Sequence, residues 1–203
     1  MALVLDGSND TITGLQINSA NIVNGSIVND DINASAAIAS SKISGSLGKL
    51  LQVQQAVKTD TFITNSQSLV DITGMSVSIT PSATTSKVLV FVSYCHSHAQ
   101  SDRWSLFTLL RDSTEIYLGN TSNNRSRAST FNGLIGASGD SVDMKSSNIC
   151  FLDSPNTTSA TTYKLQCKTQ DSNYLTFNRS GGDQNASSGG RTASSITAME
   201  IAA

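Results

Sequence analysis

Hydrophobic positions along this chain follow two different rules, and the rule changes near residues 45–49. After that point the pattern is the two-residue alternation of half-buried strands. In "TTYKLQCKT", Tyr163, Leu165 and Cys167 share one face and Lys164, Gln166 and Lys168 share the other. Runs of this kind predict strands over 49–64, 68–80, 87–96, 104–118, 148–153, 161–169, 174–178 and 194–201. Turn-rich stretches such as "TPSATTS", "GNTSNNRSR", "DSPNTTS" and "NRSGGDQNASSGGRT" separate them. "KVLVFV" is continuously apolar and predicts a central strand buried on both faces. Strands so spaced predict an antiparallel β-sandwich or jelly-roll head of about 150 residues.

Before residue 45 the rule is a beat of five. Ile12, Ile17, Ile22, Ile27, Ile32, Ile38 and Ile43 are each five residues apart, except for one step of six between Ile32 and Ile38. Neighbours five apart on a helix are turned about 140° from one another, so no stripe forms. On a flat strand an odd step alternates faces. The beat therefore needs a turn inside each unit, and Gly14, Asn18, Asn21, Asn24, Gly25, Asn29, Asp30, Asp31 and Asn33 suit one. Seven isoleucines fall short of offsetting the entropy of ordering about 35 residues without partners for the backbone. A single-chain solenoid would hold fewer than two coils, too few to stack. Several chains sharing an axis solve the problem, and three is the natural number for a closed rod. The expectation is an extended, intertwined homotrimeric shaft over residues 16–48, lined by these isoleucines. Residues 1–15 precede it, and a head follows over 49–203.

Composition narrows the functions. Ser, Thr and Asn make up about a third of the chain, 14% is charged, and the net charge is -2, with 13 Lys and Arg against 15 Asp and Glu. No basic cluster points to nucleic acid. No apolar run reaches membrane-helix length, and "MALVLDGSND" has neither the basic nor the apolar region of a signal peptide. The three cysteines, Cys95, Cys150 and Cys167, have no CxxC spacing and read as small, reduced core residues.

The order of "SIVNDDINASAAIASSKI", then "GKLLQVQQAVKTDTFITNSQSLVDITGMSVSITPSATTSKVLVFVS", then a closing "SSITAMEIA" resembles tail-fibre and related virion appendage proteins of bacteriophages, marine and cyanobacterial phages especially. That resemblance implies a homotrimeric virion fibre made in the host cytoplasm. Its N-terminus would be held by another virion structural protein, and its head would contact a host-surface polysaccharide or outer-membrane receptor. Most tail fibres are far longer, so attachment to tail or capsid stays open, and a capsid decoration protein without receptor binding is the main alternative.

Candidate chemistry is sparse. His96 and His98 in "CHSH" point to one side of a strand, and three such pairs could offer six imidazoles to an axial iron, as in some phage spikes. The plainer reading is two ordinary histidines at a strand end or subunit contact, so no metal and no cofactor is assigned. There is no Gly-x-Ser-x-Gly, HExxH or phosphate loop. A polysaccharide-degrading spike would need a carboxylate pair in a cleft; most of the acidic residues read more simply as solvated loop charges, and no enzyme is expected. Binding is the better fit. Loops over 101–104, 120–127 and 178–191 offer Arg103, Trp104, Asn123, Asn124, Arg125, Arg179 and Arg191 to a hydroxyl-rich ligand, with Trp104 beside Arg103 as a stacking platform. For the sole tryptophan the sequence favours core packing at the start of a strand.

Overall fold

The computed structural model describes residues 49–99, 103–132, 143–187 and 189–202, together with Ile32, Asn33 and Ala36. The chain divides into two compact units, Met1–Leu47 and Gly48–Ala203. In the first unit, Ala36 donates its backbone N–H to the Asn33 carbonyl at 2.8 Å, and the Ile32 side chain is exposed. Ile12, Ile17, Ile22, Ile27, Ile38 and Ile43 lie outside the described residues, as does the attachment segment 1–15.

The second unit is all-β among its described residues, with antiparallel pairing throughout. Its strands are β1 (Leu50–Lys58), β2 (Phe62–Thr64), β3 (Val70–Ile79), β4 (Lys87–His98), β5 (Ser105–Arg111), β6 (Thr114–Ile116), β7 (Thr130–Asn132), β8 (Lys145–Asp153), β9 (Thr161–Thr169), β10 (Leu175–Phe177) and β11 (Ser194–Ile201). Sheet A holds β1, β2, β4, β8, β10 and β11; sheet B holds β3, β5, β6, β7 and β9.

Three strand positions are split in two. β1 and β2 pair with β11 and β10 in turn, and β6 and β7 share one edge of β5. Counting each split strand once leaves eight positions with nested pairing: first with eighth, second with seventh (β3–β9), third with sixth (β4–β8) and fourth with fifth. Nested antiparallel pairs describe one long folded ribbon rolled into two sheets, which is the wiring of a jelly roll.

The core follows from alternation. β9 alternates strictly between buried and half-buried, sending Tyr163, Leu165 and Cys167 inward. Ile72, Met75, Val77 and Ile79 of β3 join Val88, Val90, Val92 and Tyr94 of β4, with Phe107, Leu109, Ile149, Leu175, Phe177, Ile196 and Ala198. The inward parity of β3 changes at Gly74, whose φ of 85° falls where the β3–β9 register shifts. The aliphatic stem of Lys58, a buried lysine that reaches out to Asp60 at 2.9 Å, lies against that glycine.

Several expectations from the sequence are corrected. The stretch 49–64 breaks at Thr59–Thr61, and 104–118 folds back at Asp112 and Ser113 into a hairpin. β7 is an additional three-residue strand. β4 is central, but only one of its faces is core: Leu89 is half-buried and Phe91 exposed on the other. Of the acidic residues, most of which the sequence places in solvated loops, Asp153 and Glu200 are buried.

Candidate functional site: the far end of the sandwich

β4 runs the length of the domain, 12 residues or roughly 35–40 Å. At its first residue, Lys87 faces Ile201, which in turn faces Leu50, and Ala202 donates to the Lys49 carbonyl at 2.7 Å. The chain thus enters the domain at one end of the sheet. At the last residue of β4, His98 faces Leu175. The β4–β5, β9–β10 and β10–β11 connections cluster at that far end.

An aromatic pair dominates it. Trp104 precedes β5 and Phe131 sits in β7, both on the outer side of sheet B, and their rings stack with centroids 5.4 Å apart at 27°. Trp104 is half-buried while Phe131 is 54% exposed. The tryptophan is therefore not in the core, because Ser105 and Asn132 pair in register and hold both rings outside the sandwich. Arg103 forms an ion pair with Asp171 at 2.9 Å, and Gln170 donates its backbone N–H to the Trp104 carbonyl. Tyr174, nearly half exposed, follows on the same β9–β10 connection, where its carbonyl accepts from the Ala99 N–H. Backbone and side-chain donation from Asn173 holds the Asp171 carboxyl below its usual range, with Arg103 adding to the effect.

Both histidines fall on the inward parity of β4 and differ in depth. His96 is fully buried against Phe107 and Tyr94, with ring centroids at 4.8 and 5.8 Å. Burial pushes its pKa down to about 3, helped by His98 and Lys145. His98 is half-buried, 6.5 Å from His96 and edge-on to it, and burial and Lys145 bring its pKa to about 4. No hydrogen bond of good geometry reaches either ring's nitrogens, although the Asn132 side chain biases His96 slightly toward its charged form. His96 faces the interior of its own sandwich. Among the described residues no group of three or more His, Cys, Asp or Glu is arranged for a metal.

Arg179 and Arg191 reach the same end and bridge each other through their backbones, but both guanidiniums close on Asp183. Those contacts hold the Asp183 carboxyl below its usual range, with the hydrogen bond from Arg191 the leading cause. Gly181 allows this loop to lie directly on β4, since a Cβ there would stand 2.0 Å from the His98 carbonyl oxygen. Asn123, Asn124 and Arg125 are exposed but leave from the β6–β7 edge, where Arg125 bonds to Ser122. The structure thus gathers Arg103 and Trp104 with the Arg179–Arg191 loop at one end and leaves 123–125 apart.

Phe131, Asp171 and Tyr174 are the members of this end that the sequence reading omits. Phe131 lies in a strand too short to show alternation, and the Asp171 partnership spans 68 positions from Arg103. Of the cysteines, Cys167 is a core residue whose thiol burial raises to about 12. Cys95 is half-buried and Cys150 exposed, because both fall on the outer parity of sheet A.

No family model and no curated protein matches the chain. Fold and site together define a jelly-roll β-sandwich domain with an exposed aromatic and guanidinium cluster at the end away from where the chain enters it.

Proposed function

We propose that the chain is a short homotrimeric fibre of a phage particle. In this reading residues 1–15 attach to a virion structural protein, the isoleucine pentads form the shaft, and the jelly-roll head contacts a hydroxyl-rich ligand on the host surface. The observation that carries it is the opposition of two ends: residues 49–50 at one end of β4 and the Trp104–Phe131 pair with Arg103 at the other. A head held by its stem needs its recognition surface at the distal end, and this domain has that polarity. Flat exposed rings stack on the apolar faces of sugars, and an arginine beside them donates to hydroxyls or to anionic sugar groups.

The test is binding of the full chain to purified host lipopolysaccharide, compared with the Trp104→Ala, Phe131→Ala double variant. Loss of at least about ten-fold in affinity is expected, the weight of one or two stacking contacts. Unchanged binding by a folded double variant would remove this end from the recognition role. The absence of any surface binding, with the protein still located on virions, would turn the reading toward decoration of the capsid.

A further inference from the structure

The two sheets differ in what they present outward away from the Trp104–Phe131 end. Over β3 and β9 the outer face of sheet B is wetted: Asp71 pairs with Lys164 at 3.0 Å and with Gln166 at 2.6 Å, and Ser78 shares a hydrogen bond with Thr162. The outer face of sheet A carries no ion pair among the described residues, and its polar contacts include Gln55 donating to Thr197 at 2.9 Å and, at one end, Lys87 donating to Ser154 at 2.7 Å. Its register aligns Val53, Met199, Leu89 and Leu152 in one row across four strands, and Gln55, Thr197, Phe91 and Cys150 in the next. A third row, Val57, Ser195, Ser93 and Asn148, is also uncharged. Val53 (48%), Phe91 (40%) and Leu152 (52%) stand exposed there, with Val57 and, beyond β1, Ile63 on the same parity. An uncharged face of four strands, apolar across its first row and carrying Phe91 and Val57 in the next two, is more than scattered surface hydrophobes.

We propose that this outer face of sheet A is a contact surface between copies of the chain, three of which pack their faces around the fibre axis. The inference rests on the trimeric fibre reading and adds to it the residues that hold the heads together. A second copy is the occupant for two reasons. The face has no charge in its three rows, so it complements another uncharged face and offers little to a polysaccharide or an acidic partner. Its edge strand is β1, which the pentad segment leads into at Leu50. Chains joined along residues 12–43 would bring their β1 edges together at high effective concentration, so a modest apolar patch suffices to close the contact.

Cys150 is a built-in reporter, since it is exposed on one chain and lies beside Phe91 in the second row. The experiment measures the mass of the full chain by light scattering and the rate at which Cys150 reacts with a maleimide, for the native protein and for Phe91→Asp with Leu152→Asp. The expected result is a native trimer in which Cys150 reacts at least about ten-fold more slowly than an exposed thiol. The variant is expected to keep its β circular dichroism, to lose the trimer contact between heads and to regain full Cys150 reactivity. A native trimer with fully reactive Cys150 would overturn the face while sparing the fibre reading. A native monomer with reactive Cys150 would overturn both. A native monomer with protected Cys150 would assign the face to residues 1–47 of the same chain, which also overturns the proposal. Should the variant not fold, the native labelling rate decides alone.

Discussion

One guanidinium nitrogen of Arg111 donates to both carboxylate oxygens of Asp153, each at 2.9 Å. The pair joins the end of β5 to the end of β8, and so ties sheet B to sheet A across one edge of the sandwich. Tyr163 of β9 adds its hydroxyl at 2.7 Å, and burial with the nearby carboxylate keeps that phenol protonated far above neutral pH. Asp153 is buried and accepts from every neighbour it has in this network, so its charge is compensated only while Arg111 stays.

Removing the cation should therefore cost more than an ordinary surface pair. Arg111→Ala is expected to lower stability by about 2–3 kcal/mol, below the cost of severing a fully buried pair because Arg111 is partly exposed. Asp71→Ala, which breaks a pair on the wetted face of sheet B, should cost under about 1 kcal/mol. Urea unfolding of both variants compares them. Equal losses would show that Asp153 is hydrated in solution.

Acid should loosen the far end before it affects anything else. His96 and His98 have folded pKa values near 3 and 4 against about 6.5 unfolded, so the unfolded chain binds more protons between these limits. Stability is then full above pH 6.5 and falls as pH drops toward 3. Glu200 behaves in the same direction but later. Although burial would raise its pKa, donation from Gln52, Ser82 and Ser86 brings it to about 2 from 4.5. Between pH 6.5 and 4.5 the histidines act alone, at up to about 2–3 kcal/mol for the deeper His96. Melting temperatures across that window should fall for the native protein and fall less for His96→Phe, which suits a pocket of Tyr94, Phe107 and Phe177. A native protein whose melting temperature does not change from pH 6.5 to 4.5 would contradict the burial of both rings.

Asn178 holds a position that neither its neighbours nor its exposure pattern would suggest. Its φ is 57°, and its amide donates to the carbonyls of Lys58 at 2.9 Å and Asp60 at 3.1 Å while accepting from the Ser194 hydroxyl at 2.6 Å. It thereby fixes the break between β1 and β2 from the start of the β10–β11 connection. Asn178→Gly keeps the backbone and loses the bonds, at about 2 kcal/mol. Asn178→Ala loses both, at about 3–4 kcal/mol, since a Cβ opposes the left-handed conformation. Thermal unfolding should rank them in that order; the reverse order would mean that strain, not bonding, is absent at this site.

The same residue shows why part of the molecule was legible and part was not. β3, β4, β9 and β11 carry their assignment in local alternation, and the continuous apolar run of β4 announced its central place. What alternation cannot carry is an instruction from far along the chain. The break at Thr59–Thr61 depends on an amide about 120 positions away, and the burial of Glu200 depends on the Ser82 turn 118 positions away. "KVLVFV" has the same apolar content whether its second face meets a layer of its own chain or is left exposed, so Phe91 was misplaced by the same sequence that placed Val90 and Val92. At the candidate site Arg103 and Trp104 were visible as residue types, whereas Phe131 and Asp171 became partners only through the pairing of β5 with β7 and β9.

The shaft reading makes its own demand on the pentads. Ile32 is 41% exposed. If Ile27 and Ile32 from three chains converge on one axis, Ile27→Asp with Ile32→Asp places six carboxylates where no cation offsets them, and mutual repulsion with desolvation opposes assembly there. The head, whose described core residues all lie between Ala56 and Ala198, should keep its β spectrum and its melting transition. Limited proteolysis of the double variant is expected to cut within residues 12–43 at least about ten-fold faster than in the native chain, with the 49–203 fragment persisting. Cleavage at the native rate would mean that these isoleucines do not meet across an axis, and the five-residue beat would then need a different physical cause.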